Sequence, residues 1–323
     1  MTTTFASRFL LSHPIAFIGG GNMARSLIGG LVAGGANAAK IRVAEPVEAL
    51  RASLAAEFGV QVFADTSEAV HGADMWLFAV KPQVMRDVCQ SLSARALAQH
   101  PVMVSIAAGI TTTQLQTWLG SELPVVRCMP NTPALLGAGV TGLFANPQVD
   151  AAGRARAEGL LYSAGRTVWI EDEAKMDAVT AVSGSGPAYV FLLAEAMETA
   201  AKTEGLPDEA ARTLVLQTLL GAARMLTESD ADPTELRRRV TSPNGTTQAA
   251  IETFQAGGFE ALVSKAIHAA TELIENAALV NDAELAQFEE GWTDRDAGEI
   301  DIPLVRTTRA QRPAYRGRSR SRR

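Results

Sequence analysis

From residue 15 to about 170 the chain alternates short apolar runs with stretches of helical periodicity, the pattern of a parallel sheet buried between helices. Runs at 15–18, 41–44, 60–63, 75–80, 102–106, 125–128 and 167–170 predict strands, with crossovers of the length that βαβ units need. After Asp172 the pattern changes to long, alanine-rich helical stretches at about 174–204, 208–228, 233–240, 246–256 and 259–280. Gly205-Leu206-Pro207, residues 229–233, Pro243 to Gly245 and Gly257-Gly258 divide them. Within the first helix, Ser183-Gly184-Ser185-Gly186-Pro187 predicts a break or kink at a close contact. The expected fold is a doubly wound α/β domain at 14–172 and an all-α domain at 173–281, flanked by an extension at 1–13 and a tail at 282–323.

Composition narrows the function. With 47% hydrophobic and 20% charged residues over 323 positions, the chain can bury a large core. No apolar run reaches the roughly 18 residues of a membrane span, and residues 1–13 lack a secretory h-region and cleavage site, so a cytoplasmic location is expected. Cys89 and Cys128 are too few for a disulfide framework and are expected to be reduced. His13, His71, His100 and His268 show no ligand spacing, so no metal is expected. The net charge of −6 conceals a basic end: from Arg309 onward there are seven arginines and no acid. Such a run builds no core and is expected to be a disordered, solvated tail, with nucleic-acid contact the less favoured reading.

The first strand runs directly into Gly19-Gly20-Gly21-Asn22-Met23-Ala24, which fits G-x-G-x-x-A at a strand-to-helix turn, the dinucleotide fingerprint of a Rossmann-type sheet. Gly19 permits the turn, Gly21 lets a pyrophosphate approach the backbone, and Ala24 lets the helix settle on the sheet. Ile18, Gly19, Gly20, Gly21, Asn22 and Met23 are therefore cofactor candidates. Glu45 ends the second strand, where an acid hydrogen-bonds the ribose 2′-OH of NADH and repels the 2′-phosphate of NADPH. The cofactor is expected to be NADPH or NADH, with a lean to NADH softened by Arg42 and Arg51. Thr66 joins the cofactor set, and later strand ends add Ala79, Val80, Lys81 and Pro82, then Ile106, Ala107 and Ala108. Asn131, in the stiff loop Met129-Pro130-Asn131-Thr132-Pro133, is expected to wall the nicotinamide.

A second cradle is written at Thr241-Ser242-Pro243-Asn244-Gly245-Thr246-Thr247. Pro243 fixes one φ, Asn244 and Gly245 tolerate positive φ, and the threonines suit a cap for the helix that begins near Thr246. A helix N-terminus attracts carboxylate or phosphate. A plain capped turn between two helices is the other reading of this segment by itself.

In order, F-I-G-G-G-N-M-A, A-V-K-P, M-P-N-T-P, D-A-V-T-A-V-S-G-S-G-P-A-Y and R-V-T-S-P-N-G-T-T make the chain closely resemble pyrroline-5-carboxylate reductases from about residue 15 to 275. Many members read S-P-G-G-T-T at the turn, so Asn244 is a departure, although asparagine is well suited to positive φ. The resemblance implies reduction of L-1-pyrroline-5-carboxylate to L-proline, a reaction that needs orientation and a hydrogen bond at nitrogen more than an acid–base dyad. It implies that catalytic Thr247 hydrogen-bonds the ring nitrogen and that backbone amides of Gly245, Thr246 and Thr247 hold the substrate carboxylate. Ser242 and Asn244 would shape the turn, with Glu173 a further substrate-side candidate. The resemblance also implies a C-terminal dimerisation domain, hence a homodimer, with decamers as a further assembly.

Two other readings stay open at this level. A β-hydroxyacid dehydrogenase type would need a helix-borne lysine, yet Lys175, Lys202 and Lys265 lie outside its G-x-x-x-K-x-x-N setting. A non-catalytic nucleotide-binding scaffold with a nucleic-acid-binding tail would keep the glycine loop without needing Thr247.

Overall fold

The computed structural model describes residues 14–120 and 122–279. The expectations for 1–13 and for the tail lie outside the described residues. One eight-stranded sheet runs in the order β3-β2-β1-β4-β5-β6-β7-β8. β1 (Ile15–Ile18) lies between β2 (Ile41–Ala44) and β4 (Met75–Phe78), parallel to both, with Ile15 opposite Ile41 and Met75. β3 (Gln61–Phe63), β5 (Val102–Ser105) and β6 (Val125–Met129) continue the parallel set outward. The order therefore reverses at β1, which opens a crevice beyond the carboxyl ends of the strands.

Burial explains the continuous apolar runs. All four residues of β1 and of β4 are buried, because helices cover both faces. One face joins Phe17 and Leu77 to Leu27 and Ile28 of α1 (Asn22–Ala33) and Leu54 of α2 (Glu48–Phe58). The other joins Ile18, Trp76 and Phe78 to Met85 and Cys89 of α4 (Pro82–Gln99), which follows the short α3 (Thr66–Val70). The buried Trp76 indole donates to Ala73 O at 3.0 Å, so no polar atom there is left unmatched.

One strand escaped the sequence reading. β7 (Gly139–Ala145) runs antiparallel to β6, and β8 (Gly165–Trp169) returns parallel to it, so the sheet is mostly rather than wholly parallel. Its glycines blur the strand signal, yet tertiary contacts require them. A Cβ on Gly142 would fall 2.6 Å from Val179 Cγ1, and one on Gly165 would fall 2.0 Å from Gly139 O. α5 (Thr112–Leu119) and α6 (Ala151–Tyr162) complete the helical layers.

After β8 the regular elements of the described residues are helical: α7 (Met176–Val179), a π turn (Thr180–Gly184), α8 (Gly186–Thr203), α9 (Asp208–Glu228), α10 (Pro233–Arg239), α11 (Thr246–Ala256) and α12 (Phe259–Leu279). The expected break is real, and it takes the form of a π turn beginning at Thr180. α12 packs on α7 and the π turn, and α11 packs on α12, where Phe254 meets Phe259 edge-on at 5.5 Å. α8 buries no residue; Phe191 and Leu192 are 62% and 66% exposed, and Leu214 and Leu220 of α9 are each 55% exposed. Apolar faces of this extent mark an interaction surface. Among the described residues no helix is long and apolar enough to cross a membrane.

Candidate active site

The parallel register brings the ends of β1 to β6 to one edge of the sheet, and with them the glycine loop, Glu45, Thr66, the two later strand ends and Asn131. Gly19 holds a φ of +99° and donates its N–H to Ala44 O at 2.8 Å, while a Cβ there would lie 2.6 Å from Ala79 O. Gly20 is closed in by Leu54, but open space lies where a Cβ of Gly21 would stand, at the N-cap of α1. The first intrahelical donor is Arg25 N, to Gly21 O, so the amides ahead of it point into that space. The chain thus fits a pyrophosphate at a helix N-terminus. Gly19→Ala is expected to weaken dinucleotide binding at least about tenfold and to destabilise the fold by roughly 1–3 kcal/mol, because φ and contact both oppose a side chain. Fluorescence titration and thermal melting check this.

The remaining strand-end residues divide by accessibility. Ile18 and Ala107 are buried, so their exposed contribution is backbone; Asn22, Lys81 and Ala108 are exposed. Met23 and Ile106 are half-buried against the core, and Ala79 N donates to Ile18 O at 2.8 Å. Val80 packs on the opposite core face, and Pro82 starts α4 after Lys81 as N-cap. Thr66 opens α3 behind Asp65, whose carboxylate accepts from the amides of Ser67 and Glu68.

Glu45 differs from the sequence expectation. Its carboxylate is buried and turned back onto the loop, accepting from Gly20 N at 2.8 Å and Val47 N at 3.0 Å. A partially charged loop amide is a strong acceptor's nearest partner, so the acid braces the phosphate loop. Arg51 lies beside it, donating to Glu45 O and Pro46 O, each at 2.7 Å. Arg42 is committed elsewhere, to Gln61 and the face of Phe63.

Glu173 is likewise engaged. One carboxylate oxygen accepts from Thr112 N and the other from Thr112 Oγ1, both at 2.7 Å, at the N-terminus of α5. Arg127 approaches it at 3.7 Å and binds Asp177 at 2.6 Å. Arg127, Asp177 and Thr112 went unnoticed in the sequence. The available signal was a lone arginine inside the apolar run V-V-R-C-M, since an arginine 3% exposed needs paired acids.

At the second cradle Asn244 takes a φ of +57°, as expected, but Gly245 does not: it is the N-cap of α11 at φ −90°. Glycine at 245 leaves room for the turn, since a Cβ would lie 2.6 Å from Ser242 Oγ and 3.1 Å from Ser242 O. No side chain caps this helix; Thr246 and Thr247 are its first two residues, so the threonines are not the caps that the sequence suggested. Gly245 N already donates to Ser242 O at 3.1 Å, and Asn244 N to Gln248 Oε1 at 2.8 Å. The intrahelical ladder begins with Ala249 N to Gly245 O, which leaves the amides of Thr246, Thr247 and Gln248 ahead of it. Among the described residues no hydrogen bond or ion pair ties 241–247 to the sheet domain.

Cys89 and Cys128 are free and buried; burial pushes the Cys89 thiol up to about 12 and Cys128 higher, so both are protonated near neutrality. Among the described residues no group of three or more His, Cys, Asp or Glu is gathered for a metal.

Residues 14–109 match the family described as NADP oxidoreductase, coenzyme F420-dependent, and residues 173–276 match pyrroline-5-carboxylate reductase dimerisation. A pyrroline-5-carboxylate reductase of Pseudomonas aeruginosa is 57% identical over 258 residues, covering 80% of this chain and 94% of that protein. The chain belongs to the pyrroline-5-carboxylate reductase family. A pyrroline-5-carboxylate reductase of Haemophilus influenzae is 45% identical over 256 residues, 79% of this chain and 94% of its own. The solved pyrroline-5-carboxylate reductase of Coxiella burnetii superposes with a TM-score of 0.80 at 39% identity, over 82% of this chain and 98% of that one. A Plasmodium falciparum pyrroline carboxylate reductase, solved with NADP bound, gives 0.73 at 27% identity, over 83% and 99%. The pyrroline-5-carboxylate reductase family is one of NAD(P)H-dependent oxidoreductases of proline biosynthesis, and the exposed faces of α8 and α9 belong to its dimerisation domain.

Proposed function

We propose that, in reducing L-1-pyrroline-5-carboxylate to L-proline, residues 14–172 hold the dinucleotide and 173–281 present the substrate. The observation that carries this division is the Asn244-Gly245 turn, which aims the amides of Thr246, Thr247 and Gln248 away from the helix body. Those amides and the helix dipole hold the substrate carboxylate. Gly245 serves by its close approach to Ser242, its own amide being taken. Thr247 Oγ1 hydrogen-bonds the ring nitrogen of the protonated imine and fixes which face of the ring is presented. A reduced nicotinamide, when bound, supplies the hydride. Nothing in this arrangement calls for a basic side chain, because the iminium carbon is already electrophilic. Glu173 acts as a brace between α5 and the helical domain, each of its oxygens accepting from Thr112.

The turn of one subunit meets the cofactor edge of its partner in this reading. Its support is the lack of any bond, among the described residues, from 241–247 to its own sheet domain, together with the apolar faces of α8 and α9.

The cofactor reading is that NADPH is accepted beside NADH. Glu45 spends its carboxylate on Gly20 and Val47, while the half-buried Arg51 is the cation at the end of β2. Steady-state reduction of pyrroline-5-carboxylate is expected with both cofactors, and 3-hydroxy acids should give no turnover with either oxidised form. Arg51→Ala should cost about tenfold in kcat/KM with NADPH and leave NADH nearly unchanged, as loss of one charge-assisted phosphate contact predicts. An unaltered ratio of the two cofactors would remove Arg51 from this role.

A further inference from the structure

The S-G-S-G-P sequence has a backbone consequence that the helix cannot resolve by itself. Ser183 O would accept, in an α-helix, from the N–H of residue 187, which is proline and has none. The next amide, Ala188 N, is bound to Ser185 O at 3.0 Å, and Ser185 N reaches back to Thr180 O at 2.9 Å in the i→i+5 spacing of the π turn. The carbonyl of Ser183 is met from outside the helix: Asn131 Nδ2 donates to it at 3.1 Å. The same side chain accepts from Val140 N at 2.9 Å through Oδ1. Asn131 is 9% exposed, and each end of its amide has a protein partner. Alongside it Gly184 lets Met129 approach; a Cβ at 184 would fall 2.7 Å from Met129 Cε.

We propose that Asn131 is a positioning residue for the reduction, locking the π turn at the head of the helical domain to β7 and to the Met129–Pro133 loop. This rests on the reading above that the loop stands at the nicotinamide edge and the helical domain presents the substrate. The role differs from a direct cofactor contact: the side chain is nearly buried, and its Nδ2 and Oδ1 each already hold a protein partner. A π turn within a helix recurs at functional sites because it redirects groups that a regular helix would stack. Here it hands one carbonyl to the opposite domain, so the cofactor edge and the first long helix move as one body. The geometry of hydride transfer is sensitive to that link, since a misplacement of about 1 Å costs about 100-fold in rate.

The test compares the full-length wild type with Asn131→Asp, which keeps an acceptor for Val140 N–H and sets an oxygen against Ser183 O. A second variant, Asn131→Ala, removes both hydrogen bonds without adding a charge. Expected in both are a kcat at least about tenfold lower, an NADPH Kd within about twofold of wild type, and faster amide hydrogen exchange across residues 183–188. Wild-type kcat in Asn131→Asp would overturn the proposal. So would a loss of NADPH affinity matching the loss of kcat, which would make Asn131 a cofactor ligand instead. If Asn131→Asp does not fold, Asn131→Ala decides by the same three readings. Failure of the underlying functional reading is separate, because it would appear as absent pyrroline-5-carboxylate reduction in the wild type while exchange at 183–188 still reports the lock.

Discussion

Thr247→Ala lowers kcat for pyrroline-5-carboxylate by about 100-fold while the NADPH Kd stays within about twofold, the expected signature of losing one hydrogen bond that orients the reacting ring. The residue is half-buried at the second position of α11, and the amide it shares with its neighbours is unaffected by truncation. Substrate KM should therefore rise less than kcat falls, because the carboxylate keeps its backbone donors. Thr247→Ser, which retains the hydroxyl, should recover most of the rate. Steady-state kinetics with a parallel fluorescence titration of NADPH measure all of these, and a Thr247→Ala enzyme turning over at the wild-type rate would withdraw the assignment.

Arg127→Met should destabilise the fold by about 3 kcal/mol, since it leaves two acids with no cation in a mostly desolvated site. Asp177 stands at 2.6 Å and Glu173 at 3.7 Å from the guanidinium, and their side chains are only 13% and 21% exposed. For a chain of 323 residues the melting temperature should fall by roughly 4–5 °C. Adding Asp177→Asn to Arg127→Met should restore part of the loss, because the penalty lies in the uncompensated carboxylate rather than in the missing arginine. A fall smaller than about 2 °C for the single variant would mean that water already solvates these acids.

The periodic parts of the fold were legible from the chain. Strands buried on both faces write unbroken apolar runs, and β1, β2 and the long helices α9 and α11 lie where those runs predict them. The glycine loop was legible because its chemistry is local: a turn, a close approach and a helix start within six residues. β7 was not, because Gly139 is pressed by Ala134 of the preceding turn and Gly142 by Val179 from across the fold, and neither has a periodicity of its own.

The candidate site divides in the same way. Asn244 announced its positive φ by residue type, whereas the closeness of Ser242 to Gly245 came only from the fold of the turn. Glu45 and Glu173 were recognised as acids at meaningful places, but their partners were decided by the tertiary structure. A carboxylate takes whichever N–H the fold brings within reach, and those turned out to be Gly20 and Thr112, at sequence separations of 25 and 61. Sequence by itself determined the two-part architecture, the dinucleotide loop and the family, because each rests on spacing within short segments. Only the tertiary structure decided which acids brace and which groups remain for ligands, and that Pro187 leaves a carbonyl for Asn131, because long-range hydrogen bonding is chosen by three-dimensional proximity that no local pattern encodes.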